Sequence, residues 1–353
     1  MKKIAFFLPN LNQGGAEKVM VTLVNELSRE KFKITLVLFE KKGHFLNYLK
    51  EDVEVIELKT SRIRYSIFKI IPLIFKMKPD IAFIGWGEIA AFISPMIPFF
   101  RKTKFVARET NVVSEHVKRK EIRFFYKFYN HFDKIIAQSD DMKKDLIENF
   151  TIRPQKIVKI NNPVDVAWIQ EKMEEEVQEF SSEFKNVVAI GNLSQRKGFD
   201  LLLNVFARLK NEKIKLFILG DGADKEKLLK QKENLNLTNV EFLGNKKNPY
   251  PYLAKADLFV LSSRYEGFPN VLLEAGACGT YALTNDCPGG IREIIQEKIN
   301  GEIMDITQAE EFADKIKDLC DENQDKKLII KNISSRFSKE IIVESYESLL
   351  RSL

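Results

Sequence analysis

The sequence predicts an α/β protein made of two Rossmann-like, doubly wound domains that face each other across a cleft. Short apolar runs alternate with amphipathic helical stretches in both halves, and 353 residues are enough to build two cores. Apolar runs placed between helices are typical of parallel strands that are covered on both faces. Ligands of such sheets bind beyond the carboxyl ends of the strands, so the cleft is the expected place for substrates.

Each predicted strand is a run of β-branched and other apolar residues. In the first half these runs are residues 4–8, 34–39, 53–58, 81–84, 105–107 and 135–137. In the second half they are residues 187–190, 216–219, 240–243, 258–261 and 281–283. Val19, Leu23 and Leu27 recur every four residues and predict a helix after the first strand. Turn-forming residues 161–165 separate the halves, and a charged, helix-like stretch, residues 169–180, follows them. The predicted domains are therefore residues 1–165 and 166–338.

Composition excludes several classes of protein. The chain is 44% hydrophobic and 30% charged, as in a folded globular protein. Three cysteines without metal-site or disulfide spacing indicate reduced thiols in the cytoplasm. The opening apolar run is too short for a signal peptide, and the longest run, residues 89–100, is shorter than the roughly 20 residues of a membrane span.

Charge is distributed unevenly between the halves. Residues 1–165 hold 30 Lys and Arg against 19 Asp and Glu, a net charge of +11, whereas the remainder is net negative. Such an imbalance informs on binding partners and not on fold. It indicates that the two domains have different tasks.

Two glycine-containing turns join a strand to a helix. Gly14 and Gly15 follow the first strand, where backbone N–H groups could contact a phosphate or sugar, or where glycine could serve only a tight turn. Residues 191–198 contain Arg196 and Lys197, which could hold a phosphate at the helix start or simply be solvated charges. Gly220 begins a third, weaker turn signal, Gly-Asp-Gly. The dinucleotide fingerprint GxGxxG is absent from the sequence.

The most informative segment is residues 262–275, which follows the predicted strand 258–261. Pro269 suits the first turn of a helix. The backbone amides of Phe268, Asn270 and Val271 would then be available to a diphosphate. Glu266 lies before this helix and Glu274 lies inside it. One carboxylate could reach a sugar while the other accepts from ribose hydroxyls, or both could be ordinary helix carboxylates.

These motifs together resemble the retaining glycosyltransferases of family 4, of the bacterial O-antigen, capsule or lipid-linked oligosaccharide type, which have the GT-B fold. Glu266 and Glu274 match the E-x7-E motif of that family. Residues 14–17, 191–198, 220–222 and 286–295 resemble its glycine loop, donor loop, G-[DE]-G turn and P-x-G-x-x-E-I-I stretch. The matches run in the family's order from residue 10 to residue 301.

The resemblance implies a hexosyltransferase (EC 2.4 class) without a cofactor or metal. Its C-terminal domain, residues 166–338, would bind the nucleotide sugar, with Lys197 on the diphosphate, Glu266 on the transferred sugar and Glu274 on the ribose. The chain at residues 243–246, including Gly244, would lie near the base. The N-terminal domain, residues 1–165, would bind the acceptor, and residues 339–353 would carry a helix that packs back on it. Catalytic residues would be Glu266, Lys197 and Glu109, and the donor-binding residues would be Gly14, Gly15, Arg196, Lys197, Gly220, Gly244, Phe268, Pro269, Asn270, Val271 and Glu274.

Two positions depart from the family pattern. Asn192 stands where the family commonly has an arginine that neutralises the diphosphate, and Arg196 could supply that charge. Thr110 stands where the family often has a histidine, next to Glu109, which matches the family's glutamate. His116, six residues on, is interpreted as a surface histidine.

Basic and aromatic residues are concentrated in residues 62–76 and 117–129. Basic amphipathic helices of this kind bind anionic membranes, although the same residues could pack inside and face water on one side. With the +11 half, they favour peripheral contact with the inner face of the cytoplasmic membrane. No nucleic-acid-binding motif accompanies the charge.

The resulting hypothesis is transfer of a hexose or N-acetylhexosamine from a UDP-sugar to a glycan on a polyprenyl-diphosphate or other lipid carrier. Two alternatives stay open from the residues. One is another reaction on the same fold, a UDP-sugar epimerase or a phosphorylase. The other is a non-catalytic subunit that binds a sugar nucleotide.

Overall fold

The computed structural model describes residues 1–12, 14–60 and 62–353. Gln13, in the first glycine-containing turn, and Ser61 lie outside the described residues. The chain forms two compact units. Unit 1 comprises Met1–Pro163 together with Lys339–Leu353, and unit 2 comprises Val164–Ser338.

Unit 1 is built on a parallel sheet of seven strands in the described residues, in the order β3-β2-β1-β4-β5-β6-β7. The strands are β1 (Lys2–Leu8), β2 (Phe32–Leu38), β3 (Glu54–Glu57), β4 (Ile81–Ile84), β5 (Lys104–Arg108), β6 (Lys134–Ala137) and β7 (Ile157–Lys159). The α-helices between them are α1 (Gly15–Glu26), α2 (Ile63–Met77), α3 (Gly87–Ile93), α4 (Val113–His116), α5 (Lys120–Phe125) and α6 (Asp140–Phe150). Short 3-10 helices cover His44–Tyr48, Ser94–Phe99, Tyr126–His131 and Pro154–Lys156.

Unit 2 has a parallel sheet of six strands, again counted in the described part of the chain, in the order β10-β9-β8-β11-β12-β13. The strands are β8 (Lys185–Ile190), β9 (Ile214–Leu219), β10 (Val240–Gly244), β11 (Leu258–Leu261), β12 (Ala282–Asn285) and β13 (Gly301–Met304). The helices are α7 (Val166–Lys172), α8 (Phe199–Phe206), α9 (Lys225–Asn234), α10 (Tyr250–Lys255), α11 (Asn270–Ala277), α12 (Ile291–Ile294), α13 (Ala309–Asp321) and α14 (Lys326–Phe337). A 3-10 turn, Gln195–Lys197, precedes α8.

Both sheets are buried on both faces, as doubly wound sheets are. Along β1, Ile4, Phe6 and Leu8 belong to one core of unit 1, whereas Ala5 and Phe7 belong to the other. This alternation follows from the two-residue period of a strand, which sends successive side chains to opposite faces. The predicted fold class, two Rossmann-like α/β domains, is confirmed.

The last helix, α15 (Lys339–Ser352), packs on unit 1. Its buried hydrophobic residues join the core that contains α1 and β1; they are Ile342, Val343, Tyr346, Leu349 and Leu350. The Tyr346 hydroxyl accepts a hydrogen bond from Arg108 Nε at 3.2 Å. The Glu347 carboxylate accepts from the backbone N–H of Ser28 at 2.7 Å. Residues 339–353 therefore complete one face of unit 1.

The predicted helical stretch 169–180 is wrong beyond Lys172, where α7 ends. Tertiary contacts take the rest of that segment out of helical geometry. Phe180 packs its ring on Phe217 with 4.8 Å between centroids, and Glu179 accepts hydrogen bonds from Lys246 and Tyr252. In the described residues no helix is both long and apolar enough to cross a bilayer.

The strand order reverses at one point in each sheet. In unit 1 the reversal lies between β1 and β4, and in unit 2 it lies between β8 and β11. Loops after such neighbouring strands turn to opposite faces of the sheet and leave a crevice at its carboxyl edge, where ligands of these folds bind. These two crevices are the candidate functional sites.

Candidate functional site

The crevice of unit 2 is formed by the loops that follow β8 and β11, and hydrogen bonds to backbone carbonyls join the two loops. Arg264 N–H donates to the Arg196 carbonyl at 2.7 Å, and Ser262 Oγ donates to the Lys197 carbonyl at 2.8 Å. The Arg264 guanidinium also holds both carboxylate oxygens of Asp200, at 2.8 and 2.7 Å, in the first turn of α8. The loops are thereby fixed before any ligand arrives.

Glu266 is the centre of a buried ionic cluster in this crevice. Lys197 Nζ lies 2.6 Å from Glu266 Oε1, and Arg196 Nη1 lies 2.9 Å from Glu266 Oε2. Ser263 Oγ donates a third hydrogen bond to Oε1 at 2.6 Å. Glu266 is only 4% exposed. Residues 70 positions apart in the chain thus form one charged group at the carboxyl edge of the sheet.

The cluster keeps Glu266 ionised although it is buried. Burial raises the pKa of the carboxyl, but attraction by Lys197 and Arg196 and the hydrogen bonds from Lys197 and Ser263 outweigh it, so the pKa lies below its usual value. The site therefore holds one carboxylate and two cations. Such an arrangement can bind a polyanion through the cations and a hydroxyl-rich group through the carboxylate.

The other predicted donor-binding residues lie along the same edge of unit 2. Gly220 N–H donates to the Gly244 carbonyl at 2.9 Å, so the turns after β9 and β10 are adjacent. α11 begins at Asn270 with Pro269 as its N-cap, and Glu274 is half-buried in its second turn, with Val271 in the first. The Phe268 side chain is buried, and its ring centroid lies 5.5 Å from that of Phe337.

In unit 1, Gly14 is the N-cap of α1 and Gly15 is its first residue. Gly14 has φ −145°, which is extended backbone, so this position does not need glycine for a positive φ. A Cβ on Gly14 would lie 2.3 Å from Oε2 of Glu17, the end of a flexible side chain that can move aside. Burial raises the pKa of the Glu17 carboxyl above its usual value.

Glu109 lies directly after β5, at the carboxyl edge of the unit 1 sheet. It is 3% exposed and accepts a hydrogen bond from the Tyr129 hydroxyl at 2.6 Å. Thr110, next in the chain, is half-buried, and His116 is exposed on α4. The structure therefore does not bring a histidine into this position among the described residues.

Three site-building residues were not assigned from sequence. Ser263 lies three residues before Glu266, a spacing that could have suggested a hydrogen bond. Tyr126 and Tyr129 belong to the run 117–129 that was interpreted as a membrane-facing stretch, yet they are 1% and 0% exposed. That interpretation is wrong for these two residues because their rings stack on each other inside the core, 4.2 Å apart. Among the described residues no group of His, Cys, Asp or Glu side chains is arranged to hold a metal ion.

Comparisons with known proteins show that the chain is a glycosyltransferase, and its two Rossmann-like units are those of the GT-B class. The model for "Glycosyltransferase Family 4" matches residues 13–168, and the model for "Glycosyl transferases group 1" matches residues 170–336. An N-acetylgalactosaminyltransferase of Campylobacter jejuni, which by its name acts on N-acetylgalactosamine-N,N'-diacetylbacillosaminyl-diphospho-undecaprenol, is 30% identical over 341 residues, 92% of each chain. The chain belongs to glycosyltransferase family 4, as the resemblance predicted.

Other relatives and solved structures agree with this assignment. The amylovoran biosynthesis glycosyltransferase of Erwinia amylovora is 23% identical over 96% of both chains. HepE of Anabaena, solved in complex with UDP-glucose, superimposes with a TM-score of 0.83 over 100% of both chains at 22% identity. At that identity the superposition shows the GT-B fold.

Proposed function

We propose that this enzyme is a retaining glycosyltransferase that moves a hexose or N-acetylhexosamine from a UDP-sugar to a growing glycan on a polyprenyl-diphosphate or other lipid carrier. Unit 2 would bind the donor and unit 1 the acceptor. Two comparisons support the choice of substrates. The Campylobacter relative is named for a diphospho-undecaprenol-linked acceptor, and HepE was solved with UDP-glucose.

The cluster of Glu266 with Lys197 and Arg196 carries the proposal. In the donor complex the two cations would turn from Glu266 to the diphosphate, where they stabilise the charge that develops on the leaving group. Glu266, released from its ion pairs, would accept hydrogen bonds from hydroxyls of the transferred sugar. Arg196 would thereby supply the positive charge that the exposed, uncharged Asn192 cannot provide. The positive end of the α11 helix dipole would add to the attraction of the phosphates.

The configuration at the anomeric carbon is retained if the acceptor attacks from the face on which the diphosphate leaves. The bond between the anomeric carbon and the phosphate oxygen breaks, the acceptor oxygen bonds to that carbon, and the departing diphosphate takes the acceptor proton. The chain then has to hold charge and exclude water, and it does not need to supply a base. The half-buried Glu274 would accept from the ribose hydroxyls.

The test is a transfer assay with a panel of UDP-sugars and a synthetic polyprenyl-diphosphate glycan. We expect a product one sugar longer by mass spectrometry, with the α linkage of the donor preserved by NMR. Each UDP-sugar is also incubated without acceptor. Conversion of one UDP-sugar into another in that control would identify an epimerase and overturn the proposal, as would inversion at the anomeric carbon.

The surface of α2 supports binding to an anionic membrane. Ile70 and Ile74 are buried, whereas Phe68 is 73% exposed on the opposite face and Tyr65 is 48% exposed. Exposed cations flank these rings, at Arg62, Arg64, Lys69 and Lys76. Such a face combines apolar burial with electrostatic attraction to anionic lipids. We infer that α2 lies on the inner face of the cytoplasmic membrane.

Replacement of both Tyr65 and Phe68 by serine is expected to weaken binding to anionic liposomes at least roughly tenfold, since burial of one large apolar side chain contributes about 1.5–3 kcal/mol. Co-sedimentation with phosphatidylglycerol vesicles at low salt measures the effect. Leu328→Ser, on the exposed face of α14 in unit 2, is the matched control because Leu328 is 44% exposed. Equal binding of the wild-type protein to anionic and neutral vesicles would contradict the inference.

A further inference from the structure

The carboxyl group of Glu109 is enclosed by the core of unit 1 and by the start of α3. A Cβ on Gly87, the first residue of α3, would lie 2.5 Å from Glu109 Oε2. The Tyr126 hydroxyl lies 3.4 Å from both carboxyl oxygens, on the ring that stacks on Tyr129. With 3% exposure, Glu109 has little surface on which a substrate could contact it.

The Tyr129 hydroxyl connects Glu109 to the chain of α3. It lies 2.6 Å from Glu109 Oε1 and 3.0 Å from the Gly87 carbonyl oxygen. Both neighbours are acceptors when Glu109 is ionised, and the hydroxyl has a single proton to donate. Both contacts can be hydrogen bonds at once only if the Glu109 carboxyl group is itself protonated. Glu109 then donates to Tyr129, and Tyr129 donates to Gly87.

The surroundings favour the protonated carboxyl. Burial raises the pKa of Glu109 to about 7, although the hydrogen bonds from Tyr129 and Tyr126 and the attraction of Arg108 lower it. Asp145 on α6, itself buried, repels the charged form. Arg108 directs its Nε to Tyr346 and its Nη2 to Asn162, 2.7 Å away. The two protonation states of Glu109 are therefore both accessible near neutral pH.

The turn that receives this hydrogen bond, residues 85–88, follows β4 at the reversal point of the unit 1 sheet. Gly85 N–H extends the sheet by donating to the Phe7 carbonyl at 3.1 Å, and half-buried Trp86 is the N-cap of α3. Glu88 pairs with Arg119. The turn thus borders the crevice in which the acceptor would bind.

We infer that Glu109 is a positioning residue that holds the turn 85–88 through Tyr129, and that it does not contact the reacting atoms. When Glu109 is protonated, the Tyr129 hydroxyl donates to the Gly87 carbonyl and holds the turn. When Glu109 is ionised, Tyr129 donates to Glu109 instead, and the turn loses this hydrogen bond. This inference rests on the proposed function only for its consequence, which is that affinity for the acceptor falls as Glu109 ionises.

Tryptophan fluorescence tests the brace without any substrate. The chain has two tryptophans, so Trp168→Phe leaves Trp86, in the turn itself, as the single reporter. In that background we expect the emission to titrate with a midpoint near pH 7. Glu109→Gln, whose amide donates to Tyr129 at every pH, should abolish the titration, and Tyr129→Phe should remove most of its amplitude. Tyr126→Phe is the matched control: it should keep the titration, because no hydrogen bond joins that hydroxyl to Gly87 in the described residues, but with a midpoint shifted to higher pH, because a hydrogen bond that lowers the pKa of Glu109 is lost.

The kinetic expectation is a KM for the acceptor that rises roughly tenfold from pH 6 to pH 8.5, the size expected for loss of one well-formed hydrogen bond, while the KM for the donor changes less than twofold. In Glu109→Gln the KM for the acceptor should stay at the low value throughout. A loss of turnover of 100-fold or more in Glu109→Gln at every pH would show that Glu109 contacts the reacting atoms. A flat emission profile of Trp86 would show that the brace does not exist, whatever the enzyme transfers.

Thermal unfolding gives a further readout that also confirms folding of the variants. A carboxyl whose pKa is raised in the folded state disfavours that state once it ionises, so wild-type stability should fall as pH rises from about 4.5 to about 7. Glu109→Gln should lack this part of the decline and be the more stable protein at pH 8. Parallel profiles of the two proteins across this range would overturn the inference.

Discussion

Glu266→Ala is expected to lower the rate of glycosyl transfer at least roughly tenfold, equivalent to about 1.4 kcal/mol of transition-state stabilisation. The affinity for UDP should stay the same or rise in the same variant. The reason is that the carboxylate of the ligand-free enzyme neutralises Lys197 and Arg196, at 2.6 and 2.9 Å, and so competes with a diphosphate for them. Steady-state kinetics and calorimetric titration with UDP measure the two effects separately.

Glu302→Ala is the matched control for this variant. Glu302 on β13 also forms an ion pair, with Lys315 at 2.7 Å, but it lies on the edge strand, with β12 between it and β11. It should retain both turnover and affinity for UDP. Unchanged turnover in Glu266→Ala would remove Glu266 from the site, and a large loss of UDP affinity would show that the carboxylate orders the cations and does not compete for them.

Gly220→Ala is expected to destabilise unit 2 by at least about 3 kcal/mol. Gly220 has φ +145°, a conformation that residues with a Cβ rarely adopt. Its Cβ would also lie 1.9 Å from the Gly191 carbonyl oxygen, which is backbone and cannot rotate away. Urea unfolding followed by circular dichroism should show the loss as a lower midpoint. The G-[DE]-G motif therefore has a structural reason that is independent of any ligand.

Gly244→Ala separates conformational strain from the clash. Gly244 also has a positive φ, +69°, but in the described part of the chain no atom other than its own and those of its two sequence neighbours lies within 4 Å of the position of its Cβ. Only the cost of the left-handed conformation remains, about 1–2 kcal/mol. If both alanine variants lowered the midpoint equally, the contact between the turns after β8 and β9 would not be the cause.

The sequence predicted most strands because each is a continuous apolar run. β13 was missed for a physical reason, since an edge strand needs less apolar surface: it starts with Gly301 and contains Glu302. β7, the strand that ends before the turn-forming residues 161–165, is only Ile157–Lys159. A run of apolar residues in the sequence reflects burial of the strand, and these strands are only partly buried. The end of α7 was missed because contacts of Phe180 and Glu179 with distant residues decide the conformation after Lys172.

Within the candidate site, motifs could place Glu266 and Lys197 on loops after strands, but not at 2.6 Å from each other. That distance depends on β8 and β11 being neighbours, which is a property of strand order and not of local sequence. The same is true of Glu109. Its identity could be read from the sequence, whereas its enclosure by Tyr126, Tyr129 and Gly87 depends on segments from three places in the chain.

The return of α15 to unit 1 has a consequence for the order in which the protein can form during translation. Unit 2 is a continuous segment, Val164–Ser338, and can fold as soon as it leaves the ribosome. Unit 1 is encoded before unit 2, yet the face of its core that receives Tyr346 and Leu350 stays uncovered until residues 339–353 emerge. Unit 1 is therefore begun before unit 2 and completed after it, and a nascent chain stalled before residue 339 would expose apolar surface on unit 1.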